Sequence, residues 1–175
     1  MDSKALVLTC FGEDREGLVE ALARAISTHG GNWLESRMAR LGGRFAGILQ
    51  VDVPAGNEEA LRADLAGLDS RGLRVVVEAS AEAVHRDNGL ELELIGQDHP
   101  GIVHEISRVL AANGVNVEEL DTGCSNAAES GETLFHARIA LHAPDTVDTE
   151  KLFRELEAIA LDLMVDVVID APEEP

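Results

Sequence analysis

The sequence predicts an α+β protein built from two consecutive βαββαβ units, each an antiparallel sheet with two helices on one face. Three observations favour this architecture. A segment recurs 84 residues later, apolar residues follow strand and helix periodicities in the same order in both copies, and glycines end the same elements. A chain of 175 residues is also long enough for two small domains.

The internal repeat begins in a glycine-containing loop. Gly12–Val19 returns as Gly96–Val103, and from Gly12 to Glu35 8 of 24 positions are identical. Further along, the offset becomes 90, so six residues have been inserted within the polar run Asp121–Glu132, which we expect to be a surface excursion. The copies meet near Ala81–Asn88, which gives predicted domains 1–84 and 85–175.

Each copy opens with a strand and an amphipathic helix. The alternating strand residues are Leu6, Leu8 and Cys10 in the first copy and Leu90, Leu92 and Leu94 in the second. The apolar helix faces comprise Leu18, Leu22, Ala25 and Ile26, and then Ile102, Ile106, Val109 and Leu110. Gly30 and Gly114 are predicted to end these helices, because glycine tolerates the left-handed conformation.

The rest of each copy reads as a hairpin, a second helix and a last strand. The hairpin turn is predicted at Gly42-Gly43, and Asn57 is the expected N-cap of the second helix. The third strands are Phe45–Val53 and Phe135–Ala143. The second helices carry Leu61, Leu65, Leu68 and Leu152, Leu156, Ile159, and the last strands carry Leu73, Val75, Val77 and Leu163, Val165, Val167. This order is that of the ferredoxin-like split βαβ fold, in which the first strand lies between the third and the fourth.

The loop before the first helix carries the motif Gly-x-Asp-x-x-Gly-[Leu/Ile]-Val in both copies, and Gly-x-Asn opens both second strands. These motifs resemble the ACT domain, a small amino-acid-sensing module. The second copy has the usual Asp98-His99-Pro100-Gly101, whereas the first has Asp14-Arg15-Glu16-Gly17, with Glu where Pro is usual. Two such domains filling the chain, and the run Gly30–Met38, look like the glycine cleavage system transcriptional repressor family.

The resemblance implies a binding site for a small amino acid, glycine or a relative, where the loop of one domain meets the Asn of the other. The open N–H groups at a helix start suit the ligand carboxylate, and Asp14 or Asp98 could accept from its ammonium. The second copy is the expected better site, because Pro100 presets the helical turn. Asn32 is expected to face the loop of the second copy, and Asn116 the loop of the first. The candidate binding residues are Asp14, Gly17, Leu18, Asn32, Asp98, Gly101, Ile102 and Asn116. The alternative is that these residues are only helix caps and turn residues.

The sheet faces away from the helices differ between the copies. In the first copy Val7, Phe11, Ile48 and Val76, with Thr9, predict an exposed apolar contact surface, unless a linker or tail covers it. A homodimer is one form that such a contact could take. In the second copy the same face carries Glu91, Glu93, His136, Arg138, His142 and Asp166, which cross-strand pairing in water explains without a site.

Composition excludes several classes of protein. The net charge is −19 and aromatics make up only 3%, so direct nucleic-acid binding and attachment to anionic membranes are not expected. Residues 1–84 hold 9 bases and 13 acids, and residues 85–175 hold 5 bases and 20 acids, which could steer a basic partner.

Neither a signal peptide nor a disulfide scaffold is indicated, so cytoplasmic localisation is the expectation, with Cys10 in the core and Cys124 in a loop.

Catalytic and metal motifs are absent from the sequence. No Gly-x-Ser-x-Gly, P-loop or Cys-x-x-Cys occurs, and the histidines lack metal-ligand spacing, so no cofactor is expected. The sequence therefore favours a non-enzymatic regulator that senses a small amino acid and acts on transcription through a protein partner. Direct contact with a metabolic enzyme is the first alternative. A small acylphosphatase-like hydrolase is the alternative of another class, for which Arg15 alone is weak support.

Overall fold

The computed structural model describes residues 2–81, 89–126 and 131–170. Contacts between Cα atoms divide the chain into two compact units, Met1–Val84 and His85–Pro175. The predicted junction is Ala81–Asn88. Its residues 82–88 lie outside the described residues. In the part of the chain that the structure describes, no helix is both long and apolar enough to cross a membrane.

The first unit is a four-stranded antiparallel sheet in the order β2-β3-β1-β4, with β1 between β3 and β4 as predicted. Two 3-10 turns, Ala55–Asn57 and Leu68–Arg71, flank its second helix. The elements are β1 (Ser3–Glu13), α1 (Leu18–Thr28), β2 (Asn32–Leu41), β3 (Arg44–Pro54), α2 (Glu58–Gly67) and β4 (Leu73–Ala79).

The second unit repeats this topology, with strand order β6-β7-β5-β8. Its elements are β5 (Gly89–Gln97), α3 (Ile102–Ala112), β6 (Asn116–Asn126), β7 (Thr133–His142), α4 (Thr149–Asp162) and β8 (Val165–Asp170). The predicted fold class, two consecutive ferredoxin-like βαββαβ units, is therefore confirmed.

Each unit has its own apolar core between its sheet and its two helices. Leu8, Leu22 and Leu61 have no exposed surface in the first core, and Leu92 and Leu156 have none in the second. Cys10 is buried there too, as predicted. Burial of each large apolar side chain stabilises the fold by roughly 1.5–3 kcal/mol. Among the described residues no polar or charged side chain is buried, so the helices are held by apolar contact.

Glycine geometry confirms the predicted helix ends and the first hairpin turn. Gly30 and Gly114 have φ of +69° and +72°, and Gly42 and Gly43 have φ of +57° and +77°. Gly12, the first glycine of the loop motif, has a different role. A Cβ on Gly12 would overlap the carbonyl oxygen of Gly72, where β1 passes the turn that leads into β4. This glycine is therefore required for packing rather than for conformation.

One sequence prediction about the element ends is confirmed in position only, and one is wrong. Asn57 occupies the N-cap position of α2 as predicted, but its side chain makes no capping hydrogen bond and its Nδ2 instead donates to the carbonyl oxygen of His29, 2.9 Å away. Its role is to tie the end of α1 to the start of α2. Leu163 is not a strand residue, because it ends α4 and β8 begins only at Val165.

The insertion in the second copy is a longer hairpin. Asp121–Asn126 continue strand β6 as far as the pair Asn126–Thr133, so the surface excursion is shorter than predicted. Residues 127–130, within the predicted excursion, lie outside the described residues. Cys124, predicted in a loop, is an exposed strand residue paired with Phe135.

Candidate functional site

Both loop-to-helix junctions present an open helix N-terminus. Gly17 and Gly101 occupy the N-cap positions with φ of +82° and +102°, and no side chain caps either helix. Their carbonyl oxygens accept the first helical hydrogen bonds, from Ala21 at 2.9 Å and Glu105 at 3.0 Å. The N–H groups of the first turn have no intrahelical partner and carry partial positive charge. A Cβ at Gly17 or Gly101 would have nothing within 4 Å, so each end is open to a ligand.

The first loop borders a hollow of about 290 Å³. This volume is close to the lower end of the range of small-molecule sites, about 300–1,000 Å³. Apolar side chains and the start of α1 form one part of its wall, and two arginines and a glutamate supply the charge. The lining residues are Arg15, Glu16, Gly17, Leu18, Ala21, Leu68, Arg71 and Leu73. The predicted site residues Gly17 and Leu18 are therefore brought together in one cavity.

Arg15, which lines this hollow, contacts residues of its own unit. Its Nη2 donates to Glu13 Oε2 at 2.5 Å, and its guanidinium lies close to Gly72. This hydrogen bond and the charges of Arg15 and Arg44 lower the pKa of Glu13. One of the two cations of the hollow is thus already partly neutralised, whereas Arg71 is not ion-paired with any described residue.

The acid of the first loop is engaged as well. Asp14 Oδ2 forms an ion pair with Arg40 Nε of β2 at 2.5 Å, and its N–H donates to the carbonyl oxygen of Gly43 at 3.1 Å. An incoming ammonium would have to compete with Arg40 for Asp14. No sequence motif marks Arg40, which the β2–β3 hairpin brings back onto the loop.

The second loop is organised around His99. Its Nε2 lies 2.8 Å from the carbonyl oxygen of Leu163 and its Nδ1 lies 3.1 Å from that of Pro100. Both partners accept hydrogen bonds, so both ring nitrogens can donate only in the imidazolium form. These bonds, with the charge of Asp98, raise the pKa of His99. The second loop therefore favours a cation beside the start of α3, at the position that Arg15 has in the first copy.

The two asparagines lie far from the loops of their own units. Asn32 opens β2 at one end of the sheet, whereas Arg40, the partner of Asp14, lies eight residues along the same strand. At ~3.3 Å per residue the separation is about 26 Å. Asn116 opens β6 in the same way. One unit alone therefore cannot place its loop and its asparagine on one small ligand.

The outer faces of the two sheets differ as the sequence predicts. In the first unit Phe11, Ile48 and Val76 are 44%, 49% and 46% exposed, and Val7 is half-buried beside them. The guanidinium of Arg74 lies 5.6 Å from the centre of the Phe11 ring. These residues form an apolar face on the side of the sheet opposite the helices. No described residues bring together three His, Cys, Asp or Glu side chains that could hold a metal ion.

The chain matches one domain family twice. The ACT domain matches residues 4–78 and again residues 91–161. Together with the repeated βαββαβ topology and the open helix starts, this shows that the chain belongs to the ACT-domain family, with two such domains in tandem.

More specific relatives cover nearly the whole chain. It is 24% identical over 164 residues to the glycine cleavage system transcriptional repressor of Escherichia coli (strain K12), with 90% of this chain and 85% of that protein covered. The repressor of Shigella flexneri gives the same values. A solved structure of an unknown protein from Galdieria sulphuraria has a TM-score of 0.87 at 27% identity, covering 97% of this chain and 99% of the other. A candidate glycine cleavage system transcriptional repressor has a TM-score of 0.70 at 19% identity over 99% and 100% of the two chains, which shows the fold alone.

Proposed function

We propose that this protein senses a small amino acid, glycine or a relative, and regulates transcription through a protein partner without catalysing a reaction. The ACT-domain family and the similarity to a glycine cleavage system transcriptional repressor support a regulatory, ligand-sensing role. The observation that carries the proposal is the hollow of about 290 Å³ against the uncapped start of α1.

The chemistry of both loops suits an amino-acid carboxylate. At the first loop the open N–H groups of α1 and the guanidinium of Arg71 attract an anion, while Leu18 and Ala21 limit the room for a side chain. At the second loop the raised pKa of His99 favours its imidazolium form, which adds positive charge to that of the N–H groups after Gly101. Both loops therefore suit a carboxylate group, and the hollow at the first loop also favours a small ligand.

The ammonium group distinguishes the two loops. Asp98 is not ion-paired with any described residue, whereas Asp14 already pairs with Arg40. Asp98 is thus the better acceptor for the ligand ammonium, which favours the second loop. The cavity at Gly17 favours the first loop instead, so the expected preference for the second copy stays a prediction.

The asparagines complete the proposed sites in crossed fashion. Asn32 and Asn116 lie far from the loops of their own units. The pairing of Asn32 with the Asp98 loop and of Asn116 with the Asp14 loop stays a prediction from the family resemblance. An asparagine side chain supplies both a donor and an acceptor, which suits a zwitterion.

Calorimetry with glycine and other small amino acids tests these roles. Loss of one hydrogen-bonding side chain removes about 1–3 kcal/mol of binding, so Asn32→Ala and Asp98→Ala should each weaken one site by at least about fivefold. Asn116→Ala should weaken the other site. Asn126→Ala, an exposed residue at the far end of β6, is the matched control and should bind as the wild type does. If the wild type binds no amino acid, or if all these variants bind equally well, the loops are only helix caps.

The regulatory output is a separate question from ligand binding. Affinity capture followed by mass spectrometry should recover a transcription factor, whereas recovery of a metabolic enzyme would favour the alternative of direct enzyme control. Turnover of acetyl phosphate by the purified protein would favour the hydrolase alternative. We expect none, since the proposed role of the first loop is binding alone.

A further inference from the structure

A wide hollow lies on the outer face of the second sheet, away from α3 and α4. Its volume is about 690 Å³, and strands β5, β6, β7 and β8 all contribute to it. We call this surface the acidic face. Its charged lining residues are Glu91, Glu93, Glu119, Asp121, Asp166 and Arg138, with His136 beside them.

The acidic face carries a large excess of negative charge. Five carboxylates line the hollow against one guanidinium. Arg138 is shared between Glu91 at 3.0 Å and Glu93 at 2.9 Å. Its hydrogen bond to Glu93, with the charges of Glu93, Glu91 and Asp121, raises the pKa of Arg138. The single positive charge is therefore already engaged, and the excess of Glu91, Glu93, Asp121 and Asp166 over Arg138 gives the hollow a net attraction for cations.

The first unit shows that the fold does not require these charges. At the positions equivalent to Glu91, Glu93 and Arg138 it has Val7, Thr9 and Ile48, with the same strand pairing. Like charges close together on one sheet face are destabilising. Glu91 and Glu93, which have no charged counterpart in the first unit, therefore indicate a use other than folding.

The floor of the hollow is apolar. Ile95 and Val168 are 51% and 53% exposed there, and Ala140 lies beside them. Arginine and lysine carry aliphatic stems that pack on apolar surface, with charged heads that reach a polar rim. Arginine also forms paired hydrogen bonds with carboxylates. Carboxylates around an apolar floor thus match a polypeptide with basic side chains better than a bare metal ion or a polyanion.

We propose that the acidic face docks a basic segment of a protein partner, whose arginine or lysine side chains enter the hollow. The proposal rests on the proposed function, since this partner is the one through which the amino-acid signal would be passed on. It names the docking surface and the charge of the docked segment.

Fluorescence anisotropy with a labelled hexapeptide of alternating arginine and alanine tests the docking, at a salt concentration that screens distant charges. The test variant is Asp121→Asn/Asp166→Asn in the hollow. The matched control is Glu157→Gln/Asp162→Asn, which removes the same two charges from exposed positions on α4, on the opposite side of the sheet. We expect the test variant to lose at least tenfold in affinity and the control less than twofold.

A third variant separates the floor from the rim. Val168→Ser keeps the charge and should weaken the peptide several-fold. Equal losses in the test and control variants would mean attraction by overall charge and would overturn the proposal, as would a peptide that does not bind the wild type. Circular dichroism should show wild-type folding in all three variants.

The same samples distinguish this proposal from the sensing proposal. The test variant should bind amino acids as the wild type does, because the acidic face contains none of the proposed loop residues. If the peptide binds the hollow but no amino acid binds, docking stands and sensing fails. If an amino acid binds but the peptide does not, sensing stands and docking is wrong.

Discussion

Substitution of Gly17 by alanine separates the binding role of the first loop from its structural role. Gly17 has φ of +82°, in the left-handed region that costs an L-residue about 1–2 kcal/mol. The added methyl group would meet nothing within 4 Å, so no steric clash adds to this cost. The expected destabilisation is about 1 kcal/mol, which lowers the melting temperature of a unit of this size by about 4–8 °C.

The effect on ligand binding should be larger than the effect on stability. The methyl group would stand in the open space in front of the uncapped N–H groups of α1, where the carboxylate is proposed to bind. We therefore expect Gly17→Ala to remain folded below its lowered melting temperature and to lose at least tenfold in affinity at the first site. Thermal unfolding by circular dichroism and amino-acid calorimetry measure the two effects on one sample.

Gly12→Ala is the contrasting variant in the same motif. Its Cβ would overlap the backbone oxygen of Gly72, and such overpacking typically costs about 1–3 kcal/mol or more. Its melting temperature should therefore fall further than that of Gly17→Ala. A larger fall in the melting temperature of Gly17→Ala than of Gly12→Ala would refute the packing role of Gly12. Wild-type ligand affinity in Gly17→Ala would refute the role of Gly17 in ligand access.

Four further predictions concern the core, the second loop and the surfaces. Leu22→Ala should cost about 2–5 kcal/mol in urea unfolding, because Leu22 has no exposed surface. NMR titration should give His99 a pKa above its ordinary value. The stability that protonated His99 contributes to the fold is complete at acid pH and is lost as the pH rises through that raised pKa. His99→Gln should remove this pH dependence of stability. Phe11→Glu or Ile48→Glu should abolish self-association or partner binding in size-exclusion chromatography and leave the fold intact. If both variants keep the wild-type size and partner binding, the apolar face is not a contact surface. The protein alone should not shift duplex DNA at physiological salt, since 33 acids oppose 14 bases.

The fold could be predicted from the sequence because its signals are local and occur twice. Alternation in β1, the apolar face of α1 and the left-handed Gly30 are each read within a dozen residues, and the second copy repeats them. The differences lie where a tertiary contact adds to a local preference. Asn57 stands at the predicted N-cap position, but its side chain makes no capping hydrogen bond and its amide nitrogen donates to the carbonyl oxygen of His29.

The site was less predictable because its electrostatics depend on distant residues. The motif identifies Asp14 and Gly17, but only the folded hairpin brings Arg40 to Asp14. Likewise, the bond from His99 to Leu163 joins residues 64 positions apart. The concave acidic face needs four strands in register, and its charges read in sequence only as ordinary cross-strand pairs.

A thermal-shift titration with single amino acids tests the central claim, amino-acid sensing, most directly. A ligand at 100 times its dissociation constant adds about 2.7 kcal/mol of stability, which should raise the melting temperature of the unit that binds it by roughly 10 °C or more. We predict a saturable rise with glycine or another small amino acid, and a smaller rise in Asn32→Ala and Asp98→Ala than in Asn126→Ala. No rise with any amino acid at millimolar concentration, or the same rise in all three variants, would contradict the claim.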